Sequence, residues 1–451
     1  MVKKIAALIV GLIAAVLMPA GVQAQLVGAD SPPPAELRRP YRGLFGSPGD
    51  PNTPQSLILS ASLFGAYDDN VLADLSGTNR PDPRLQRSGE YYGANAGLNY
   101  SLSKTGQRAS FGLTSGVSAS GYRFDEDTRL SPQAHLSASL NYSLARRTTL
   151  SLSQQVVYSE YYRFMLFPSL DGLDDDGALA GDPDVELFER VALRYASGVG
   201  LTRGFGPRSA LSMNYLMGYV DYRDREFADW RSHSASIGFS RRLTSHATLN
   251  LGYGYRTASA REDDSAAREA HNVDLGVSYS RALSFSRRTS FSFGTGSAIL
   301  VSDDLTAPDS DPRTRFRLIG NAALNHELGR TWTAQAAYNR GLVFREGFDD
   351  PFLTDALSAS IGGFVTRRLD LSAIVRWSFA TLDRPGRNQH DSLVASAQAR
   401  YALGRFVALF ARYIYYEYEF DPDVPLDPGL ARSLDRSGVR VGITAALPLI
   451  R

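Results

Sequence analysis

Runs in which every second residue is apolar recur down most of this chain, and they leave few folds open. In Ser437–Leu447, Val439, Val441, Ile443, Ala445 and Leu447 fall on one side, with Arg440, Gly442, Thr444 and Ala446 on the other. A strand sends successive side chains to opposite faces, so this run is a strand with two different surroundings. Arg405–Tyr418 precedes it, across a stretch rich in Asp and Pro. The same alternation sets Tyr92, Ala94, Ala96, Leu98 and Tyr100 against Gly93, Asn95, Gly97 and Asn99. It sets Leu136, Ala138, Leu140 and Tyr142 against His135, Ser137, Ser139 and Asn141, and Leu249, Leu251, Tyr253 and Tyr255 against Thr248, Asn250, Gly252 and Gly254. Leu369, Leu371, Ala373, Val375 and Trp377 likewise alternate with Asp370, Ser372, Ile374 and Arg376. The apolar faces suit lipid, and Tyr92 and Tyr100 bracket an aliphatic band as interfacial girdles do. Gly, Ser, Asn and Thr would fill a dry core poorly and suit a wet interior.

The punctuation between runs alternates as well. Brief breaks stand near Lys104–Arg108, Arg146–Thr148, Phe205–Arg208, Thr244–His246, Arg287–Arg288, Gly329–Arg330, Arg367–Arg368 and Gly404–Arg405. Longer polar segments separate them: Asp69–Ser88, Phe124–Ser131, Arg163–Leu187, Asp224–Asp229, Ala260–Arg268, Ser302–Asp311, Glu346–Pro351, Asp383–Asn388 and Asp421–Ser433. Short turns alternating with long connections predict an all-β fold, a transmembrane antiparallel up-and-down β-barrel of about 18 strands, within a range of about 16 to 20. An even number puts both chain ends on one side, the periplasmic one in such barrels. A soluble propeller would repeat motif residues at fixed places about every 40 residues, and none recur here. The runs, of about 10–15 residues, are also longer than the usual soluble strand.

The organisation then reads as three parts. In residues 1–24, Lys3 and Lys4, the apolar Ile5–Leu17 and the small-x-small Val22-Gln23-Ala24 form a cleaved signal peptide. Residues 25–54, with Pro32-Pro33-Pro34 and no periodicity, form an extended periplasmic segment. Residues 55–451 form the barrel. Within the segment, Arg38–Phe45 mixes cations with aromatics; a loosely held tail is the simpler expectation, docking at the pore mouth or on a partner the sharper one. The segment is too short for a plug domain, which argues against an energised transporter.

A formal net charge of +1 gives no reason to expect nucleic acid as a partner. The absence of Cys excludes disulfides, thiolate metal sites, a Cys nucleophile and a lipidated Cys. Six His are present; His135, Ser137 and Asn141 share a face, but residues two apart on a strand stand about 6.8 Å apart, too far for a base to reach its nucleophile. His246 at a short turn and His390 at a loop edge read as solvated. The acidic stretch Asp171–Gly177, aligned as a calcium loop on Gly177, puts Gly172 first and Pro183 last, where carboxylates are needed. No catalytic residue, metal or cofactor is therefore expected.

The candidate site residues are arginines aimed inward: Arg194, Arg256, Arg313, Arg315, Arg317, Arg376 and Arg412. Arg313, Arg315 and Arg317 share a face with Asn321 and Asn325. A charge on the lipid face at mid-depth costs about 2–4 kcal/mol, which favours the inward assignment. Such a band would favour anions or polyanionic sugars, unless acidic loops or lipid phosphates neutralise it.

Gly65-Ala-Tyr-Asp-Asp-Asn-Val71, which closes the first strand, the train of Ser-rich strands and the ending Ala445–Arg451 together resemble the outer-membrane β-barrel porins of the beta-barrel porin 2 type. The resemblance implies a Gram-negative outer membrane, with lipid, lipopolysaccharide and the barrel-assembly machinery as partners. Some members of that family accompany exopolysaccharide systems. This chain departs from many barrels by ending Leu449-Ile450-Arg451, where an aromatic residue is commonly read by the assembly machinery. The expected function is a channel for small hydrophilic or anionic solutes, or for release of a polysaccharide. The alternative is a structural or adhesive barrel whose external loops bind a ligand.

Overall fold

The computed structural model describes residues 43–45, 55–69, 89–103, 108–124, 127–163, 186–223, 229–260, 268–283, 286–302, 313–343, 352–382, 389–422 and 432–450. They form 18 strands. These are β1 (Gln55–Asp68), β2 (Gly89–Ser103), β3 (Ala109–Phe124), β4 (Asp127–Ala145), β5 (Thr148–Arg163) and β6 (Glu186–Gly204). Next come β7 (Ser209–Tyr222), β8 (Trp230–Arg242), β9 (Ala247–Ala260), β10 (Arg268–Leu283), β11 (Ser286–Ser302) and β12 (Arg313–Leu328). The ring is completed by β13 (Trp332–Val343), β14 (Phe352–Phe364), β15 (Leu369–Leu382), β16 (Gln389–Ala402), β17 (Val407–Phe420) and β18 (Ser433–Ile450).

Each strand pairs antiparallel with its sequence neighbours, and β1 pairs with both β2 and β18. The sheet is a closed barrel with no edge strand; the β10–β11 and β12–β13 ladders pair over Ser278–Leu283 and Gly320–Leu328. The expected strand number and parity are those observed. At the closing ladder Ile58 faces Pro448, and the register shifts between Leu57 and Ile58. Proline has no N–H to give a ladder, so a break there is expected. At the other end of that ladder Asp69 clasps Ser437: its N–H donates to Ser437 O (3.0 Å), and its carboxylate accepts from Ser437 N and Oγ at 2.6 Å each. Asp69 belongs to the short motif that carries the family resemblance, so part of that motif serves closure.

Two expected breaks are misplaced. Phe124–Ser131 is not a long connection: the β3–β4 ladder runs out to Phe124↔Asp127 and leaves only 125–126 between the strands. The strands continue through an acidic stretch that composition alone makes look like a loop, with Tyr122 opposite Arg129 and Phe124 opposite Asp127. The short break expected near Arg287–Arg288 falls slightly earlier, since β10 ends at Leu283 and β11 begins at Ser286. The two arginine charges read as a break, yet a strand end at a barrel rim tolerates them.

The two faces differ as the alternation requires. On β18, Val439 and Val441 are 47% and 53% exposed, whereas Arg440 between them is 2% exposed. The exposed apolar set is the convex outside. Among the described residues, outward charges such as Asp221, Arg241, Asp391, Glu417, Glu419 and Asp435 lie near strand ends, leaving an apolar belt at mid-height. Arg340 and Asp355 also face outward near a rim, paired at 3.2 Å, with Tyr338 donating to the same carboxylate.

Candidate functional site on the inner wall

The inner wall is one face of all 18 strands, and its members follow from the ladders. Arg194 lies opposite Val220, Arg256 opposite Ser234, Arg317 opposite Ala298, Arg376 opposite Ser358 and Arg412 opposite Gln398, all facing inward. Arg313 and Arg315 occupy inward register positions on β12, and their side chains lie outside the described residues. The structure does not gather these residues into one patch. Arg194 and Arg256 stand on β6 and β9, Arg317 on β12, and Arg376 and Arg412 on β15 and β17. They are distributed around the wall rather than stacked in a column.

A tighter cationic feature lies outside the set expected from sequence. Arg412 is directly across the ladder from Arg440, so two arginines are aimed inward from neighbouring positions on β17 and β18. Arg440 is buried. Its guanidinium carbon sits 3.9 Å from the Phe64 ring centroid and 5.7 Å from that of Tyr91, and Nη2 donates to Tyr91 Oη at 3.2 Å. Phe64 and Tyr91 meet edge to face at 6.1 Å. The cluster spans β18, β1 and β2, and so bridges the closing seam from inside. Gly93 makes room for it, because a Cβ there would run into the Phe64 ring. Alternation between Val439 and Val441 already aims Arg440 inward. Its partners, one of them 349 residues away, carry no local signal.

Above the seam, towards the rim with the long connections, the wall of β14–β17 is closely packed. Tyr416, Tyr418 and Phe420 follow one another along the inward face of β17, with centroids 5.8 and 5.6 Å apart. His390 stacks on Phe420 at 4.1 Å and is fully buried, which corrects the expectation of a solvated loop-edge residue. Its position opposite Phe420 on β16 turns it into the barrel, and the neighbouring rings enclose it. Ser378 and Ser392 share a hydrogen bond of 2.9 Å beneath it, and Thr354 and Ser358 are buried beside them.

The wall of β3–β8 is built differently. Serines there stand opposite glycines, and their hydroxyls donate to the glycine carbonyls: Ser151 to Gly200 and Ser212 to Gly238, both at 3.3 Å. Gly200 has no space for a side chain, since a Cβ would meet Ser151 Oγ at 2.5 Å and Asn214 Oδ1 at 2.8 Å. These short side chains lie low on the wall. His135, Ser137 and Asn141 belong to it and face inward on β4.

At the short-turn rim, Arg400 holds Asp370 through Nε (2.9 Å) and Nη2 (2.6 Å). Among the described residues no group of three or more His, Asp or Glu is placed to hold a metal ion, and Asp171–Gly177 lies outside them. His233, His271 and His326 face outward and each meets a hydroxyl through Nδ1: Tyr215 at 2.8 Å, Tyr253 at 2.7 Å and Thr289 at 2.7 Å.

No family model matches the sequence, and comparison with curated proteins finds no match. Among solved structures, the chain is similar to Pseudomonas aeruginosa OpdL (TM-score 0.43, 17% identity, 88% of this chain and 99% of that one). It is also similar to P. aeruginosa OccK2 (OpdF) in complex with glucuronate (0.44, 11%, 90% and 100%), and to the copper transporter OprC (0.44, 11%, 87% and 82%). At such scores and identities the likeness says nothing of function.

Proposed function

We propose that this chain is an integral outer-membrane protein and a passive channel for small hydrophilic solutes, with a preference for anions. One observation carries the reading: a closed ring of 18 strands is apolar outside at mid-height and lined inside by Ser, Gly, Asn and Arg. With strands about 4.8 Å apart and tilted about 40°, such a ring has a backbone diameter of roughly 35 Å, wider than facing side chains can span. Water in that lumen makes inward arginines tolerable, and their field lowers the energy of an anion in transit. On this reading the short turns face the periplasm, residues 1–24 are removed on export, and the mature chain starts at Gln25. N-terminal sequencing of the membrane-extracted protein checks the last point.

The finer possibilities of substrate follow from the same wall. A polysaccharide passing outward would block ionic current while it occupies the lumen, so long oligosaccharides are the probe for that version. A second reading, a structural or adhesive barrel with a filled lumen, is favoured by the complete burial of Tyr416, Tyr418, Phe420 and His390 on the inner wall.

Single-channel conductance of the refolded barrel in a planar bilayer, with reversal potential in a salt gradient, separates these. Large steps with an anion-shifted reversal potential are expected. The shift should fall towards zero when Arg194, Arg256, Arg376 and Arg412 are all replaced by Ala. Non-selective steps would keep the pore and remove the role of the arginines. A correctly folded barrel that passes no current would leave the filled-lumen reading in place.

A further inference from the structure

Residues 43–45 of the N-terminal segment lie inside the barrel. Leu44 N–H donates to Arg367 O, in the turn between β14 and β15, at 2.8 Å. Phe45 is buried against Ala402 and Ala408, with Leu44 and Ala446 packed beside it. Those three alanines come from β16, β17 and β18, and all face inward at the short-turn end. Small residues on three adjacent strands leave a hollow the size of a ring. Higher on β17 the same face carries Ile414 and Tyr416, which would fill that space. Arg400 closes the hollow from the side, its guanidinium carbon 5.3 Å from the Phe45 centroid, and Asp370 holds it there.

The roles of these groups are separable. The alanines supply the socket, the ring supplies the buried apolar surface, and the Leu44–Arg367 hydrogen bond fixes the backbone that enters. Arg400 is engaged on its edge by a carboxylate and on its face by an aromatic ring, a combination that suits a planar guanidinium and not an ammonium. Its charge fastens a neighbouring segment.

We propose that Phe45 anchors the N-terminal segment inside the short-turn mouth, and that Phe45 with the Arg400–Asp370 pair sets the width of that mouth. The effect on conductance rests on the channel reading; the anchoring stands apart from it. The absence of Cys from the chain makes the anchor directly testable in the full-length protein. The pair Phe45→Cys with Ala408→Cys should cross-link on mild oxidation. Phe45→Cys with Ser240→Cys should not, since β8 lies nine strands from β17 round the ring (β17 to β18, then β1 to β8).

In the bilayer, Phe45→Ala should raise the conductance step by about 1.2- to 1.5-fold, because one docked ring covers only part of so wide a mouth. Arg400→Lys should do the same with the ring still present. The oxidised bridge formed by the Phe45→Cys and Ala408→Cys pair should keep the step at its original size. Failure of that pair to cross-link in a folded barrel, or equal cross-linking to β8, would overturn the anchor. An unchanged step in both Phe45→Ala and Arg400→Lys would overturn its control of the mouth. If the unmodified barrel passes no current, the channel reading fails and the cross-link still decides the anchor.

Discussion

The walls of β3–β8 and of β14–β18 obey one alternation and end up unlike. On β3–β8 the inward residues are mostly Ser, Gly, Thr and Asn below a small buried cluster of Ala192, Val220 and Tyr222, and the hydroxyls of Ser151 and Ser212 turn back onto the backbone of the next strand. On β14–β18, continuing across the seam into β1 and β2, the inward residues include Tyr416, Tyr418, Phe420, Arg440, Phe64 and Tyr91, packed until they are almost inaccessible. The first wall is lined mainly by short polar side chains. The second joins distant strands and carries the charges closest to one another. Period two determines which face a residue occupies; residue size then determines whether that face lines a space or fills it.

Substitutions can break that contrast, and the seam should respond most. Phe64→Ala removes a buried ring that touches both Tyr91 and the Arg440 guanidinium, and a loss of about 3–4 kcal/mol of stability is expected. Urea unfolding of the barrel in lipid vesicles, followed by the gel-mobility difference between folded and unfolded forms, reads it. Arg440→Ala should cost less, about 2 kcal/mol, because it forfeits the cation–ring contact and a hydrogen bond while relieving the repulsion from Arg412. A cost for Arg440→Ala equal to that for Phe64→Ala would mean that the charge and not the ring organises the cluster. On the other wall, Ser151→Ala and Ser212→Ala should each change stability by no more than about 0.5 kcal/mol, since water can satisfy the freed carbonyls. A loss above about 1 kcal/mol there would show that the wall of small residues is also a structural one.

Most of the architecture is legible because a membrane-type barrel is locally encoded. Each hairpin carries its own alternation and its own turn, so strand number and inward faces follow from counting. The breaks at 125–126 and before Ser286 depart from expectation for one reason: in a sequence charge signals a loop, whereas barrel rims hold charged strand ends. The site is less legible. The inward aim of Arg376 and Arg412 follows from Val375, Trp377, Leu409 and Ala411 on the opposite face. The burial of His390, the Arg440–Phe64–Tyr91 cluster and the seat of Phe45 depend on strands brought together only when the ring closes. Alternation within one strand has no way to report such contacts.

That closure also decides what a truncated chain would be. Phe64 and Asp69 lie at the start of the barrel, and Ser437 and Arg440 in its last strand, so the clasp and the buried cluster exist only once both ends are present. A chain cut short before β18 would not make a narrower barrel of equal merit. It would be a curved sheet with two unpaired edges, one of them displaying Phe64 without its cation, and open edges invite aggregation and proteolysis. The seam contacts therefore form only when β1, β2 and β18 are all in place.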